Sequence, residues 1–96
     1  MTALIVGGDY VEPLRREIVA HGIGRVEHWD GRKSGHLRKA VPAGTQLIVV
    51  LCDYISHQLQ IALKKQAGRS RVPLLFCRRS ANELRAKLEA LSQLQR

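Results

Sequence analysis

The chain has 96 residues, which allows one domain with a small hydrophobic core, so we expect it to form a homodimer. Sixteen Lys and Arg against eight Asp and Glu give a formal charge of +8, which suits an anionic partner or a solvated basic surface. One Trp, two Tyr and one Phe are too few for the stacking platforms of RNA-binding sheets, so nucleic acid is a disfavoured partner.

The first half of the chain alternates between strand and helix patterns. Residues 3–6 form an apolar run that predicts a buried strand, and residues 11–21 follow with helical spacing. Residues 24–29 alternate in character, which suits a half-exposed edge strand. Residues 32–42 predict a basic loop and then a short helix that ends at Pro42.

The second half continues the same alternation. Residues 46–52 are the most apolar run and predict a central strand, and residues 54–67 predict a helix. Residues 72–77 predict a fourth strand, and a capping box of Ser80 and Glu83 then begins a C-terminal helix. The predicted buried stripe of this helix is Leu84, Leu88 and Leu91.

This order of elements predicts right-handed crossovers and a parallel sheet. We expect a single α/β domain over residues 1–96, Rossmann-like or flavodoxin-like, with four strands in the order 2-1-3-4 and helices on both faces. The crevice of such a sheet lies where the chain path reverses, between the strands that end at Gly7 and Cys52. The end of the second strand lies alongside, so three loops meet there.

Histidines and an acidic residue that follow the strands predict a metal site at this edge. Asp53 and His57 are four residues apart at a helix start, and His28 ends the neighbouring strand. This set matches the two imidazoles and one carboxylate of non-haem iron sites, with zinc or manganese as alternatives. His36 could close over the site from the basic loop. The plainer interpretations are that Asp53 caps its helix, that His57 is a partly buried polar residue and that His36 faces solvent. His21 is most simply a partner of the first helix dipole and is excluded.

A second candidate site would bind an anion or a nucleotide. Its residues would be Gly7, Gly8, Arg32, Lys33, Arg79 and Ser80. Glycines after a first strand let a phosphate approach the next helix, but the third glycine of the dinucleotide fingerprint is missing. The plainer interpretation is a tight turn in which Asp9 caps the helix, with solvated basic charge elsewhere.

Several classes of protein are disfavoured by what the chain lacks. No apolar run reaches the roughly 18 residues of a membrane span, and the N-terminus lacks the basic flank of a signal peptide. We therefore expect a soluble, cytoplasmic protein without a membrane partner. Cys52 and Cys77 show no metal-binding spacing and are predicted to be reduced core thiols. Since neither has an evident oriented base, a binding protein is favoured over an enzyme.

These segments together resemble the small bacterial family known as domain of unknown function 2325. The residues that carry the resemblance are 6–9, His28, 31–33, Pro42, 47–51, 53–57, Arg79 and Ser80. The resemblance covers nearly the whole chain and implies a Rossmann-like fold. It also implies a dimer with a non-haem iron site, of one or two irons, that binds dioxygen. The ligands it implies here are Asp53, His57 and His28, with Asp9, Glu12 and His36 as further candidates. Cys52 departs from the family, where a small hydroxyl residue is expected.

The leading hypothesis is therefore an iron protein that binds or senses dioxygen or a related small ligand at the strand ends. A metal-free module that binds an anion or nucleotide is one alternative. A structural partner domain that docks through its C-terminal leucine helix is the other.

Overall fold

The structure is a computed structural model that describes residues 1–30 and 40–94. Its strands are β1 (Thr2–Val6), β2 (Arg25–Trp29), β3 (Thr45–Leu51) and β4 (Leu74–Cys77), and its helices are α1 (Glu12–Ala20), α2 (His57–Ser70) and α3 (Ala81–Leu94). The strands form one parallel sheet in the order β2-β1-β3-β4. The predicted α/β fold and strand order are confirmed. Residues 31–39, which hold most of the predicted basic loop and short helix, lie outside the described residues.

The sheet is covered on both faces, which explains why its central strands read as continuous apolar runs. Ile5 and Val49 pack on one face with α1 and α3, and their neighbours Val6 and Val50 pack on the other face with α2. Alternate residues of a strand point to opposite faces, so in a strand that is buried on both faces every position is apolar.

The C-terminal helix is buried through the predicted stripe, since Leu84 and Leu88 are buried and Leu91 packs against the same cluster. The capping box is only half formed. Ser80 Oγ accepts from the Glu83 N–H at 3.3 Å, as predicted. The Glu83 carboxylate instead accepts from the backbone N–H of Arg78 at 3.4 Å, because the Ser80 N–H donates to the Arg78 carbonyl at 2.7 Å.

The prediction that a helix covers residues 54–67 is wrong at both ends. A short 3-10 turn, Cys52–Tyr54, precedes α2, and Ser56 is the N-cap whose Oγ accepts from the Leu59 N–H at 3.1 Å. The helix then continues through Gly68 to Ser70, and its C-cap Arg71 adopts the left-handed conformation with φ of 57°. Smaller differences at the strand ends, such as a fourth strand that begins at Leu74, are of the ordinary size for element boundaries.

None of the helices in the described part of the chain is long and apolar enough to cross a membrane. Both cysteines are free thiols: Cys77 is buried at the end of β4 and Cys52 is half-buried. Burial raises the pKa of the Cys77 thiol to about 11, because a thiolate would lose its hydration there. The prediction of a core thiol is confirmed for Cys77.

Candidate functional site

The carboxyl ends of β1, β2 and β3 lie side by side, as the strand order predicts. Val6 pairs in register with Trp29 on one side and with Val50 on the other. The Gly7 N–H continues the ladder by donating to the Trp29 carbonyl at 2.7 Å. The loops after these three strands therefore begin at the same end of the sheet, the carboxyl end of its strands.

Gly7 is required by close packing at this edge. Its φ is +105°, a conformation that favours glycine. A Cβ placed there would lie 2.9 Å from Ile55 Cγ2 and 3.1 Å from the Leu51 carbonyl oxygen. The turn after β3 thus fills the space that a phosphate would need beside Gly7. The geometry favours the tight-turn interpretation of Gly7 and Gly8, both of which are buried.

The start of α1 differs from the prediction that Asp9 caps it. The N-cap residue is Val11, which makes no side-chain cap hydrogen bond, and Pro13 lies in the first turn. Proline tolerates this position because its missing N–H would have no helical acceptor. Asp9 is exposed in the preceding loop and makes an interaction within the protein.

His28 is held in a defined orientation at the edge. Its Nε2 lies 3.0 Å from the Gly7 carbonyl oxygen. A carbonyl oxygen only accepts hydrogen bonds, so Nε2 carries the proton and donates it. In the neutral ring Nδ1 then has a free lone pair. Histidines that bind metals almost always donate their other ring N–H to a carbonyl or carboxylate in this way.

Asp53 and His57 do not share a helical face as their spacing predicts. Asp53 is exposed in the 3-10 turn, and His57 is the exposed first residue of α2. The alternative role of Asp53 as the helix cap is also wrong, since Ser56 performs it. A serine three residues before a buried leucine is the sequence signal that identifies this cap.

His28 and His57 belong to opposite faces of the sheet. In β2, Trp29 packs in the cluster under α2, while Val26 packs against the cluster under α1 and α3. His28 alternates with Trp29 and so falls on the α1 side, whereas His57 begins α2. Across residues 1–30 and 40–94, no three His, Cys, Asp or Glu residues are grouped so that they could hold a metal ion.

The remaining predicted ligands and anion-binding residues that the structure describes are engaged in other interactions. The Glu12 carboxylate accepts from Arg15 Nε at 2.8 Å, and this hydrogen bond holds the pKa of Glu12 below its usual range. Ser80 caps α3, and Arg79 is exposed beside it and interacts within the protein. The other predicted residues, His36, Arg32 and Lys33, lie outside the described residues.

Iron accepts imidazole and carboxylate ligands, so the donor types at this edge fit it. The number of donors does not fit within the described part of one chain, because His28 and His57 lie on opposite faces of the sheet and no three suitable donors are grouped there. A site made from these residues needs a ligand from beyond the described part of one chain.

A cavity that no motif predicts lies at the other end of the sheet. Its volume is about 440 Å³ and it adjoins residues that precede or begin strands, Met1, Gln46 and Pro73. His21 at the end of α1 also lines it. The His21 Nδ1 is 2.8 Å from the Glu17 carbonyl oxygen, so this ring donates a hydrogen bond at the carboxyl end of α1, as predicted. The residues that line the cavity follow no recognisable spacing, so the sequence contains no signal for it.

Comparison with known proteins identifies one family. The model of the family described as "Uncharacterized protein conserved in bacteria (DUF2325)" matches residues 2–91. This range begins with β1 and extends into α3. No curated protein and no solved structure matches the chain.

Proposed function

The chain belongs to the bacterial family known as domain of unknown function 2325, and we propose that it binds iron at the carboxyl ends of β1, β2 and β3. Through this iron it binds or senses dioxygen or a related small ligand. The metal supplies the affinity for dioxygen, which protein side chains lack. The side chains of this chain hold the metal and leave coordination positions open.

The hydrogen bond from His28 Nε2 to the Gly7 carbonyl oxygen, at 3.0 Å, is the observation that supports the proposal most. It keeps one ring nitrogen protonated and leaves Nδ1 as a donor for a metal. The ring is exposed at the end of an edge strand, so a core-packing role does not explain its position. The similar bond of His21 is local to its helix, since the acceptor is the carbonyl four residues earlier.

We further propose that a second copy of the chain completes the site. His28 of one chain would join the partner's Asp53 and the partner's His57, which gives the two imidazoles and one carboxylate that iron favours. Both Asp53 and His57 are exposed, so a second chain can reach them. A 96-residue chain with a small core also gains stability by burying more surface in a dimer. The homodimer and a cytoplasmic location stay predictions.

Metal retention in single variants tests the ligand assignment. His28→Ala, Asp53→Ala and His57→Ala should each lose iron after anaerobic loading with ferrous ion and desalting, because removing one of three ligands strongly weakens metal binding. His21→Ala is the matched control and should keep the iron content of the unmodified protein. Far-UV circular dichroism of every variant verifies the fold. Equal iron content in His57→Ala and His21→Ala would contradict the assignment.

Mixing two defective variants tests whether the ligands come from two chains. The heterodimer of His28→Ala and His57→Ala contains one complete site and one that lacks both histidines. Random pairing makes about half of the dimers heterodimers, so iron content should recover to about a quarter of the unmodified level. No recovery after denaturing and refolding the mixture would show that each site uses ligands from one chain. If the protein retains zinc or manganese in place of iron, the proposed ligands stand and only the identity of the proposed metal changes.

A further inference from the structure

Charge is distributed unequally between the two helical layers. On the layer of α1 and α3, basic side chains are matched by acidic ones. Arg85 forms an ion pair with Glu17, and Lys87 Nζ lies 3.5 Å from Glu83 Oε1. The Glu12 carboxylate is 2.5 Å from Arg15, and Arg16 is 3.5 Å away. This layer is close to neutral along its surface.

Among the described residues, the layer of α2 has cations without acidic partners. Lys64, Lys65 and Arg69 lie on α2, and Arg71 is its C-cap. All four are exposed. The sequence from residue 54 to residue 82 contains no Asp or Glu, and residues 31–39 contain none either. Within the described parts of the chain, none of these four cations forms an ion pair with a carboxylate side chain.

The four residues Lys64, Lys65, Arg69 and Arg71, which we name the α2 basic surface, are all exposed and fall within about two turns of α2 and its C-cap. The opposite side of α2 is buried against the sheet through Leu59, Leu63 and Ala67. Lys64 and Arg69 are separated by roughly 7.5 Å along the helix axis at 1.5 Å per residue. Gly68 lies between them, and nothing lies within 4 Å of the position that its Cβ would occupy. A partner can therefore approach the helix backbone closely between the cations.

We propose that the α2 basic surface binds the sugar-phosphate backbone of double-stranded DNA without reading its sequence. Clustered cations that no acid neutralises repel one another, and closely spaced phosphates remove this repulsion while releasing counterions. The total charge of the chain is uninformative about a partner. The cluster of four exposed cations on α2 and its C-cap, which are four of the 16 basic residues, is what points to a polyanion.

The surroundings of the surface favour a duplex over a single strand or a membrane. Single strands are bound by stacking bases on exposed aromatic rings. Phe76, the aromatic residue next to the surface, is partly buried, and Lys64 Nζ lies 5.1 Å from its ring centroid. Helices that bind membrane surfaces insert an apolar face, and the apolar face of α2 is already buried in the core. The aromatic count disfavours single-stranded RNA, and it has no bearing on backbone binding to a duplex.

Fluorescence anisotropy of a labelled 20-base-pair DNA duplex of arbitrary sequence measures the interaction at increasing salt. About four phosphate contacts predict a slope near −3.6 in a plot of log association constant against log salt concentration. Affinity should therefore fall about 100-fold between 50 and 200 mM salt. A second duplex of different sequence should bind with the same affinity.

Two double variants of equal net charge separate a local surface from overall charge. Lys65→Gln with Arg69→Gln removes two cations from the α2 basic surface and should reduce the magnitude of the slope by about 1.8. Arg15→Gln with Arg16→Gln removes two cations beside Glu12 and should leave the slope unchanged. Equal weakening in both would mean that overall charge alone attracts DNA, and would overturn the proposal. Tighter binding to a single strand of the same length, or to phosphatidylserine vesicles, would overturn it too.

Discussion

Replacing Gly7 by alanine should destabilise the protein through two separable effects. The backbone of Gly7 has φ of +105°, and a side chain in the left-handed region costs roughly 1–2 kcal/mol. The new Cβ would also lie 2.9 Å from Ile55 Cγ2, and crowding a packed interior costs typically about 1–3 kcal/mol. The free energy of unfolding should therefore fall by about 2–5 kcal/mol.

Gly22→Ala is the matched control for the backbone effect alone. Its φ is +96°, and nothing lies within 4 Å of the position of a Cβ. Urea unfolding can be followed by the fluorescence of the buried Trp29, with a loss of about 1–2 kcal/mol expected for this control. Equal losses in the two variants would refute the reasoning, because the turn after β3 would then not press on Gly7. That result would also restore Gly7 as a candidate for phosphate binding.

Three further outcomes are expected. The ion pair with Arg85 holds the pKa of Glu17 below its usual value of 4.5, so its stabilising contribution is present above that pH and is lost as the pH falls below it. Urea midpoints measured from pH 6 downwards should decrease less in Glu17→Gln than in the unmodified protein. If the midpoints of both proteins fall in parallel with pH, the ion pair does not stabilise the fold. Iodoacetamide at pH 8 should modify Cys52 before Cys77, because burial raises the pKa of the Cys77 thiol to about 11. Equal rates of alkylation of the two cysteines in native protein would argue against that burial. Ser56→Ala should lower the free energy of unfolding by about 0.5–2 kcal/mol through loss of the bond to the Leu59 N–H, and an unchanged urea midpoint would exclude this cap.

The sheet could be predicted from the sequence because strand length, apolar character and crossover handedness act together. The predicted helix start at residue 54 was wrong because Ile55 has helical spacing with Leu59, and periodicity alone does not distinguish a helix residue from a turn residue. In the structure Ile55 packs beside Gly7 in the turn, and Ser56 begins the helix. Capping preference was the stronger local signal here.

The predicted convergence of the strand ends is confirmed, but neighbouring strand ends can still direct their side chains to opposite faces of the sheet. Right-handed crossovers from β1 to β2 and from β3 to β4 run in opposite directions across the sheet, so they place α1 and α2 on opposite faces. Because Trp29 packs under α2 and alternates with His28, His28 falls on the face opposite to His57. The α2 basic surface could not be predicted from the sequence, because the sequence alone does not show which charged side chains form ion pairs.

Iron content and the visible spectrum of the unmodified protein, loaded anaerobically with ferrous ion and then exposed to air, test the central claim most directly. We predict about one or two irons per chain after desalting and a new visible absorption band on exposure to air. Sedimentation in the same sample should give the mass of a dimer. A protein that retains no metal under any loading condition would contradict the iron proposal.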